Sequence, residues 1–373
     1  MLRKLFQKSD KVFLGITLSL VVIGVVVFVS ASLGILARSE QKFYGVVFNQ
    51  ILFGVIFGMS ALVIMMNFDY QNLRKYAFHI LVGTLILTAL VFVPGLSYEH
   101  GGARRWISIG SIQFQPAEFL KIGFVIYFAA WLTWMKNKVH DFKKTLLPFS
   151  ILLLVIAGIL LRQPDTKSLI LIVVAGVAMC IVAGVPWKYV LGFTAVAAVA
   201  FVGFAFVKGD YLKDRISTFI RPSDDTLGKS WQITQSLNAI GSGEMFGRGL
   251  GQSVQKFGNL PEPQGDSIFA VLGEEFGFIG TTIVVILYLF FALRGLRIAS
   301  HAPDQFGKLL ATGLIVLILG QSYLNIASLV GLFPLTGVPL VFMSHGGTSM
   351  MIALAATGIV LNISKAKRAQ SQK

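Results

Sequence analysis

Acidic residues are scarce in this chain of 373 residues, 17 in all, and they are unevenly placed. The stretch NLPEPQGDSIFAVLGEEFGFIG at 259–280 gathers Glu262, Asp266, Glu274 and Glu275 between two long apolar runs. Carboxylates in such surroundings take protons or pair with basic groups, because an unpaired charge there is expensive. Pro261 and Pro263 keep the chain extended, so a helix is predicted to begin near Gly265–Ser267. Asp266 at that helix start either serves as an N-terminal cap or is presented for chemistry. Glu274 lies eight residues on, about 12 Å deeper, and Glu275 points about 100° away from it. That depth reads the two glutamates as structural or coupling groups rather than as surface reactants.

A second constellation lies earlier. In QFQPAEFLKIGF, Pro116 suits a first helical turn, and Glu118 and Lys121 follow at i, i+3 on one face. Such a pair is either self-neutralising or lines a polar cavity. Just before it, GGARRWISIG sets Arg104 and Arg105 beside Trp106. This is either an interfacial anchor or a guanidinium fork for phosphate oxygens. LRQPDTKS at 161–168 holds Asp165 and Lys167, for which a local ion pair is the simplest reading. Gln321 and Asn325 precede LFPLTGVPLVFMSHGGTSM, whose prolines, glycines and hydroxyls predict a re-entrant loop.

The elements that must position these residues are membrane helices. The chain is 55% hydrophobic and only 13% charged, where soluble domains run near 25% charged. Continuous apolar windows of about 20 residues match a helix crossing roughly 30 Å of hydrocarbon. Ten spans are predicted, near 12–36, 45–66, 76–96, 117–135, 147–161, 168–186, 188–208, 266–293, 308–330 and 347–363. The expectation is an all-α polytopic membrane protein, 1–373 forming a single transmembrane domain. The first span reads as an uncleaved signal anchor. Lys and Arg concentrate in alternate connections and in the tail at 364–373, which predicts that both termini are cytoplasmic. The net charge of +15 is therefore mostly topology, and nucleic-acid binding drops out. A large extracytoplasmic loop at 209–265 joins helices 7 and 8, far longer than ordinary helix connections. The single cysteine and five scattered histidines offer no metal-ligand spacing.

Taken in order, GARRWI, FQPAEFLKI, QPD, QSLNAIGSG, GLGQSVQKFGNLPEPQGDSIFAVLGEEFGFIG and GLFPLTGVPLVFMSHGGTSMM resemble the SEDS family (shape, elongation, division and sporulation). These are bacterial peptidoglycan glycosyltransferases, and the likeness runs from about residue 12 to 365. VQKFGNLPEP looks more like the division branch than the elongation branch. The resemblance implies ten transmembrane helices with a large loop between helices 7 and 8. It also implies polymerisation of lipid II, an undecaprenyl-diphosphate-linked disaccharide pentapeptide, into β-1,4-linked glycan strands. The location it implies is the outer face of the bacterial cytoplasmic membrane, at the division septum. A class B penicillin-binding protein (a transpeptidase) and other division proteins are the implied partners.

Carried onto this sequence, the family's essential aspartate corresponds to Asp266, its Glu–Lys pair to Glu118 and Lys121, and its QPD acid to Asp165. The implied reaction has a sugar hydroxyl attack an anomeric carbon whose leaving group is a lipid diphosphate. A positioned carboxylate, Asp266, would take the hydroxyl proton, a contribution of roughly 10²–10⁴-fold. Cations must meet the charge developing on the diphosphate. Arg104, Arg105, Lys121, Arg215, Arg221 and Lys256 form the pool. No cofactor is required, and a divalent cation, Mg or Mn, would assist although no ligand cluster demands one. The alternatives are a lipid II flippase and a non-catalytic scaffold that recruits a transpeptidase. The sequence departs from the family pattern at Lys167, Gly265, His345 and Glu244.

Overall fold

In the computed structural model, residues 9–100, 103–109, 112–136, 141–195, 219 and 230–370 are described. The first helix, α1 (Lys11–Leu36), is capped by Asp10, which accepts from the Phe13 amide at 2.9 Å. Next comes α2 (Glu40–Asn67), whose middle, Gln50–Ile56, is wound as a π-helix. After it come the short α3 (Tyr70–Lys75) and α4 (Ala77–Ala89), the latter extended by a 3₁₀ turn to Phe92. Beyond a three-stranded sheet lie α5 (Pro116–Trp134), α6 (Phe142–Arg162), α7 (Thr166–Ala183) and α8 (187–195). Then follow α9 (Trp231–Ser242), α10 (Ile268–Ser300), α11 (Gln305–Leu329) and α12 (Gly347–Gln370).

Seven helices among the described residues are long and apolar enough to cross a membrane: α1, α2, α5, α7, α10, α11 and the 347–366 part of α12. Two further expected spans fall on shorter apolar helices, Ala77–Phe92 and Leu147–Arg162. The span expected at 188–208 starts on α8 and continues outside the described residues. Large apolar side chains such as Val22, Ile64, Phe78, Leu154 and Phe290 point outward. A surface of that kind fits hydrocarbon, not water. The buried core runs through α1, α5, α7, α10, α11 and α12.

The all-α expectation needs one correction. Residues read as an interfacial anchor form an antiparallel sheet of β1 (Ser97–His100), β2 (Ala103–Ile109) and β3 (Ile112–Phe114), in that order. The β1–β2 register shifts at the two arginines, Glu99 pairing with Arg104 and Tyr98 with Trp106, which leaves Arg105 as the extra residue. Ile107 is buried, whereas Arg104 is exposed.

The predicted re-entrant segment is irregular from 330 to 346, and its part from 336 to 344 is largely buried. Irregular backbone in the interior needs partners for its polar groups, and helix side chains supply them. The Gly337 carbonyl accepts from Lys167 at 2.6 Å, that of Val338 from Asn325 at 2.8 Å, and that of Pro339 from Gln321 at 3.2 Å. Tyr288 donates to the Val341 carbonyl. From the π-helical turn of α2, Gln50 donates to the Ser344 carbonyl and accepts from the Gly346 amide. Gly24 of α1 packs so closely that a Cβ there would lie 2.1 Å from the Phe342 carbonyl oxygen.

Candidate active site

Asp266 lies immediately before α10, and its surroundings come from four separate parts of the chain. The N-cap position of α10 is Ser267 rather than Asp266, so the capping alternative does not describe this carboxylate. Gln232 of α9 donates from one amide nitrogen to Asp266 Oδ1 and to Ser267 Oγ, each at 3.0 Å. Asn325 of α11 donates to the Asp266 backbone carbonyl at 2.6 Å. Gly337 of the re-entrant segment faces Oδ2, which a Cβ at that position would approach to 3.3 Å. The loop before the helix is folded back on itself, with the amides of Gly265 and Ser267 both donating to the Glu262 carbonyl. Desolvation raises the Asp266 carboxyl to about 6. Lys167 opposes that rise, the nearby Glu262 charge adds to it, and the Gln232 hydrogen bond opposes it. An acid of this strength is half-ionised near the pH at which a general base works well.

Lys167 is the residue the sequence reading undervalued. It does not form the expected ion pair with Asp165. Its Nζ donates to the Gly337 carbonyl, and it feels the charges of Asp165, Arg105, Glu118 and Asp266. It therefore connects residues that the sequence could only place on one side of the bundle. Asp165, by contrast, is fully buried and caps α7, accepting from the Ser168 amide at 3.2 Å and hydroxyl at 2.8 Å. Its Oδ2 also accepts from Gln115 at 2.7 Å. Arg105 Nε donates to the Gln163 carbonyl at 2.9 Å, tying β2 to the turn that holds Asp165.

Glu118 and Lys121 form a buried ion pair at 2.9 Å, and Lys121 also donates to Gln321 Oε1 at 2.6 Å. Ser349 of α12 donates to Glu118 Oε2 at 3.3 Å. The pair lines a cavity of about 30 Å³ together with Gln321, Ser349 and apolar side chains of α11 and α12. That volume holds about two waters, far less than a sugar needs.

Lys256, placed by the sequence reading among the diphosphate cations, is absorbed elsewhere. It sits in the 3₁₀ turn Gln255–Phe257 and pairs with Glu275 at 2.7 Å, both side chains fully buried. Its Nζ also donates to Ser30 Oγ and to the Gly251 carbonyl. Glu274 accepts from the Ser253 hydroxyl at 2.6 Å and from the Val254 and Gln255 amides at 2.9 and 3.2 Å. The two glutamates are thus joined to residues 251–256, which fold down onto α10. Arg215 and Arg221 lie outside the described residues. Among the described residues there is no cluster of three or more His, Cys, Asp or Glu that would hold a metal ion.

Gln232 and Thr336 are residues of this cluster that the sequence does not single out, and Asn325 stands out there only by its polarity. The only signal for Asn325 was a polar side chain within an apolar span, and Gln232 carried none beyond helical patterning in the long loop. Asn325 Oδ1 and Thr336 Oγ1 are buried beside this cluster without a hydrogen-bond partner among the described residues.

Fold and site together define a polytopic membrane protein with a desolvated carboxylate held between a long loop, a re-entrant segment and the bundle. More narrowly, the chain belongs to the FtsW, RodA and SpoVE family of cell cycle proteins, whose family model matches residues 10–369. A relative named probable peptidoglycan glycosyltransferase FtsW, from Trichlorobacter lovleyi, is 37% identical over 97% of this chain and 95% of its own length. Stage V sporulation protein E of Bacillus subtilis is also 37% identical, over 96% of this chain and 98% of its own. The fold is similar to a chain of a peptidoglycan synthase complex that coordinates polymerization and crosslinking, with a TM-score of 0.79 at 24% identity. That match covers 97% of this chain and 99% of the other. The rod shape determining protein RodA of Thermus thermophilus matches with a TM-score of 0.71 at 24% identity, covering 97% of this chain and 98% of RodA.

Proposed function

We propose that this chain, a peptidoglycan glycosyltransferase by kinship, polymerises lipid II at the outer face of the cytoplasmic membrane with Asp266 as general base. The observation that carries the reading is the Asp266 carboxylate itself, held by Gln232 and raised to about 6 by desolvation. The acceptor sugar's 4-hydroxyl gives its proton to this carboxylate while its oxygen attacks the anomeric carbon. The bond to the lipid diphosphate breaks, and the diphosphate leaves with the electron pair. Arg104, exposed on β2, and Arg105, beside Gln163, stay in the pool of cations for that charge. Arg215 and Arg221 remain in the pool, and a divalent cation, Mg or Mn, would serve the same purpose. Lys256 leaves the pool because its charge is matched by Glu275. Glu118, Lys121 and Asp165 act through the backbone that they fix rather than by touching the sugar.

The reading extends to septal wall synthesis alongside a class B penicillin-binding protein; a family of cell cycle proteins and a structural neighbour from a complex that coordinates polymerization and crosslinking support it. The equal likeness to Stage V sporulation protein E supports a second reading, spore wall synthesis. Localising a fluorescent fusion through the cell cycle separates the two. The chemical test supplies purified protein, with and without its transpeptidase, with labelled lipid II. Glycan product that disappears in Asp266→Asn, with folding and partner binding kept, supports the assignment. Undiminished product from that variant refutes it. Lipid II flipping without polymer would favour the transporter alternative.

A further inference from the structure

Lys167 stands at a place in the fold that disfavours a cation. It occupies the second position of α7, where the unpaired amides at a helix N-terminus already carry positive character. The side chain makes one hydrogen bond among the described residues, to the Gly337 carbonyl. An ammonium has three donors, so two remain for whatever enters the site. Gly337 also faces the carboxylate, since a Cβ there would come within 3.3 Å of Asp266 Oδ2, so ammonium and carboxylate both lie against this one residue. Two buried polar atoms lack hydrogen-bond partners among the described residues: Thr336 Oγ1, next in the chain to Gly337, and Oδ1 of Asn325, whose amide holds the Asp266 carbonyl.

The groups that face Asp266 come from several elements. Its own loop brings Glu262, which repels it, and α9 brings the neutral Gln232. From α11 comes the neutral Asn325. The re-entrant segment brings His345, whose amide donates to the Gln264 carbonyl two residues before Asp266. Among all these the opposing positive charge is that of Lys167, from α7.

We propose that Lys167 is a positioning residue, the counter-charge that keeps the Asp266 carboxylate ionised and therefore able to accept the sugar proton. The inference rests on the general-base reading above and adds a residue specific to this chain's QPDTKS motif. A carboxylate desolvated this far, next to Glu262, would otherwise hold its proton into the neutral range. Anchoring the ammonium on the Gly337 carbonyl keeps the charge near the carboxylate without closing a direct ion pair over it. Such a pair would block the sugar hydroxyl.

The test is the pH profile of kcat/KM for lipid II polymerisation by the purified chain with its partner. Lys167→Met should move the acid limb upward by about one pH unit, so that activity at pH 6 falls about fivefold. The deficit should close toward pH 8.5, and Lys167→Arg, which keeps a charge, should restore the limb. If Lys167→Met does not fold, Lys167→Gln serves the same comparison. An unshifted limb overturns the proposal. So does a loss that is uniform across pH, which would make Lys167 a substrate ligand. An active Asp266→Asn would mean that the general-base reading itself has failed, whereas an inactive Asp266→Asn with an unshifted Lys167→Met limb isolates the failure to Lys167.

Discussion

Lys256 and Glu275 meet at 2.7 Å with both side chains fully buried, joining the long loop before α10 to the interior of that helix. Glu275 also accepts twice from Ser30 of α1, at 2.6 and 2.7 Å. One carboxylate therefore fastens the loop, α1 and α10 to each other. The same loop leads, ten residues on, to Asp266.

Removing one member of this pair should cost far more than removing both. Lys256→Met strands a buried carboxylate, a loss of about 3–5 kcal/mol. Lys256→Met with Glu275→Gln should regain most of it, because the remaining groups are neutral. Thermal unfolding of the three proteins in lipid nanodiscs measures the difference. Equal losses in the single and double variants would show that the ion pair does not fasten the loop.

Gly277 gives a second test of the same docking. Its φ of 64° and ψ of −164° lie where side chains are rarely tolerated. A Cβ there would stand 2.4 Å from the Gly247 nitrogen. Gly277→Ala should therefore push the 243–249 turn off α10, at a cost of at least about 1–3 kcal/mol. Limited proteolysis should then cut between 243 and 257 in the variant and spare the parent protein.

What the sequence could reveal here followed from burial and spacing. The continuous apolar runs announced the helices, and Pro116, Gly265 and the prolines near 334–339 announced where helix would start or fail. The strand at 103–109 is not legible in the sequence because Trp and Arg serve equally well at a membrane interface and on a short strand. Only pairing with β1 and β3 decides between them. The burial of Lys256 against Glu275 is hidden for a related reason. A basic residue in a long polar loop reads as solvent-facing, and nothing local says that the loop folds down to Glu275. Lys167 was legible as an oddity in QPDTKS, but its nearness to Gly337 and Asp266 depends on the re-entrant segment returning across α7.

The Glu118–Lys121 pair should behave as a brace. Lys121 links α5 to Gln321, and Gln321 in turn holds the Pro339 carbonyl of the re-entrant segment. Lys121→Met should lower stability and polymerisation together, because Gly337 and Asp266 shift with that segment. The reversed pair, Glu118→Lys with Lys121→Glu, should recover part of the stability but less activity, since Gln321 must reorient its amide. Full activity in Lys121→Met would separate this pair from the site.

Asp266 itself should be a stability liability above neutral pH. Its folded-state pKa of about 6 lies above the unfolded carboxylate value of about 3.9. Below pH 3.9 both states hold the proton, and the group contributes no difference. As pH rises from 4 to 6 the unfolded state ionises first, so folding is progressively disfavoured. Above about 6 the penalty is complete, with an upper limit of about 3 kcal/mol for a shift of roughly two units. Asp266→Asn removes the ionisation while keeping an oxygen to accept from Gln232. The variant should therefore melt at a higher temperature than the parent at pH 7.5 and lose that advantage as pH falls toward 4, while polymerising lipid II at about 10²–10⁴-fold lower rate. Melting curves across that range in nanodiscs give the answer. If the variant gained nothing at pH 7.5, the carboxylate would not be held at a cost, and the reason for treating it as a poised base would fall with it.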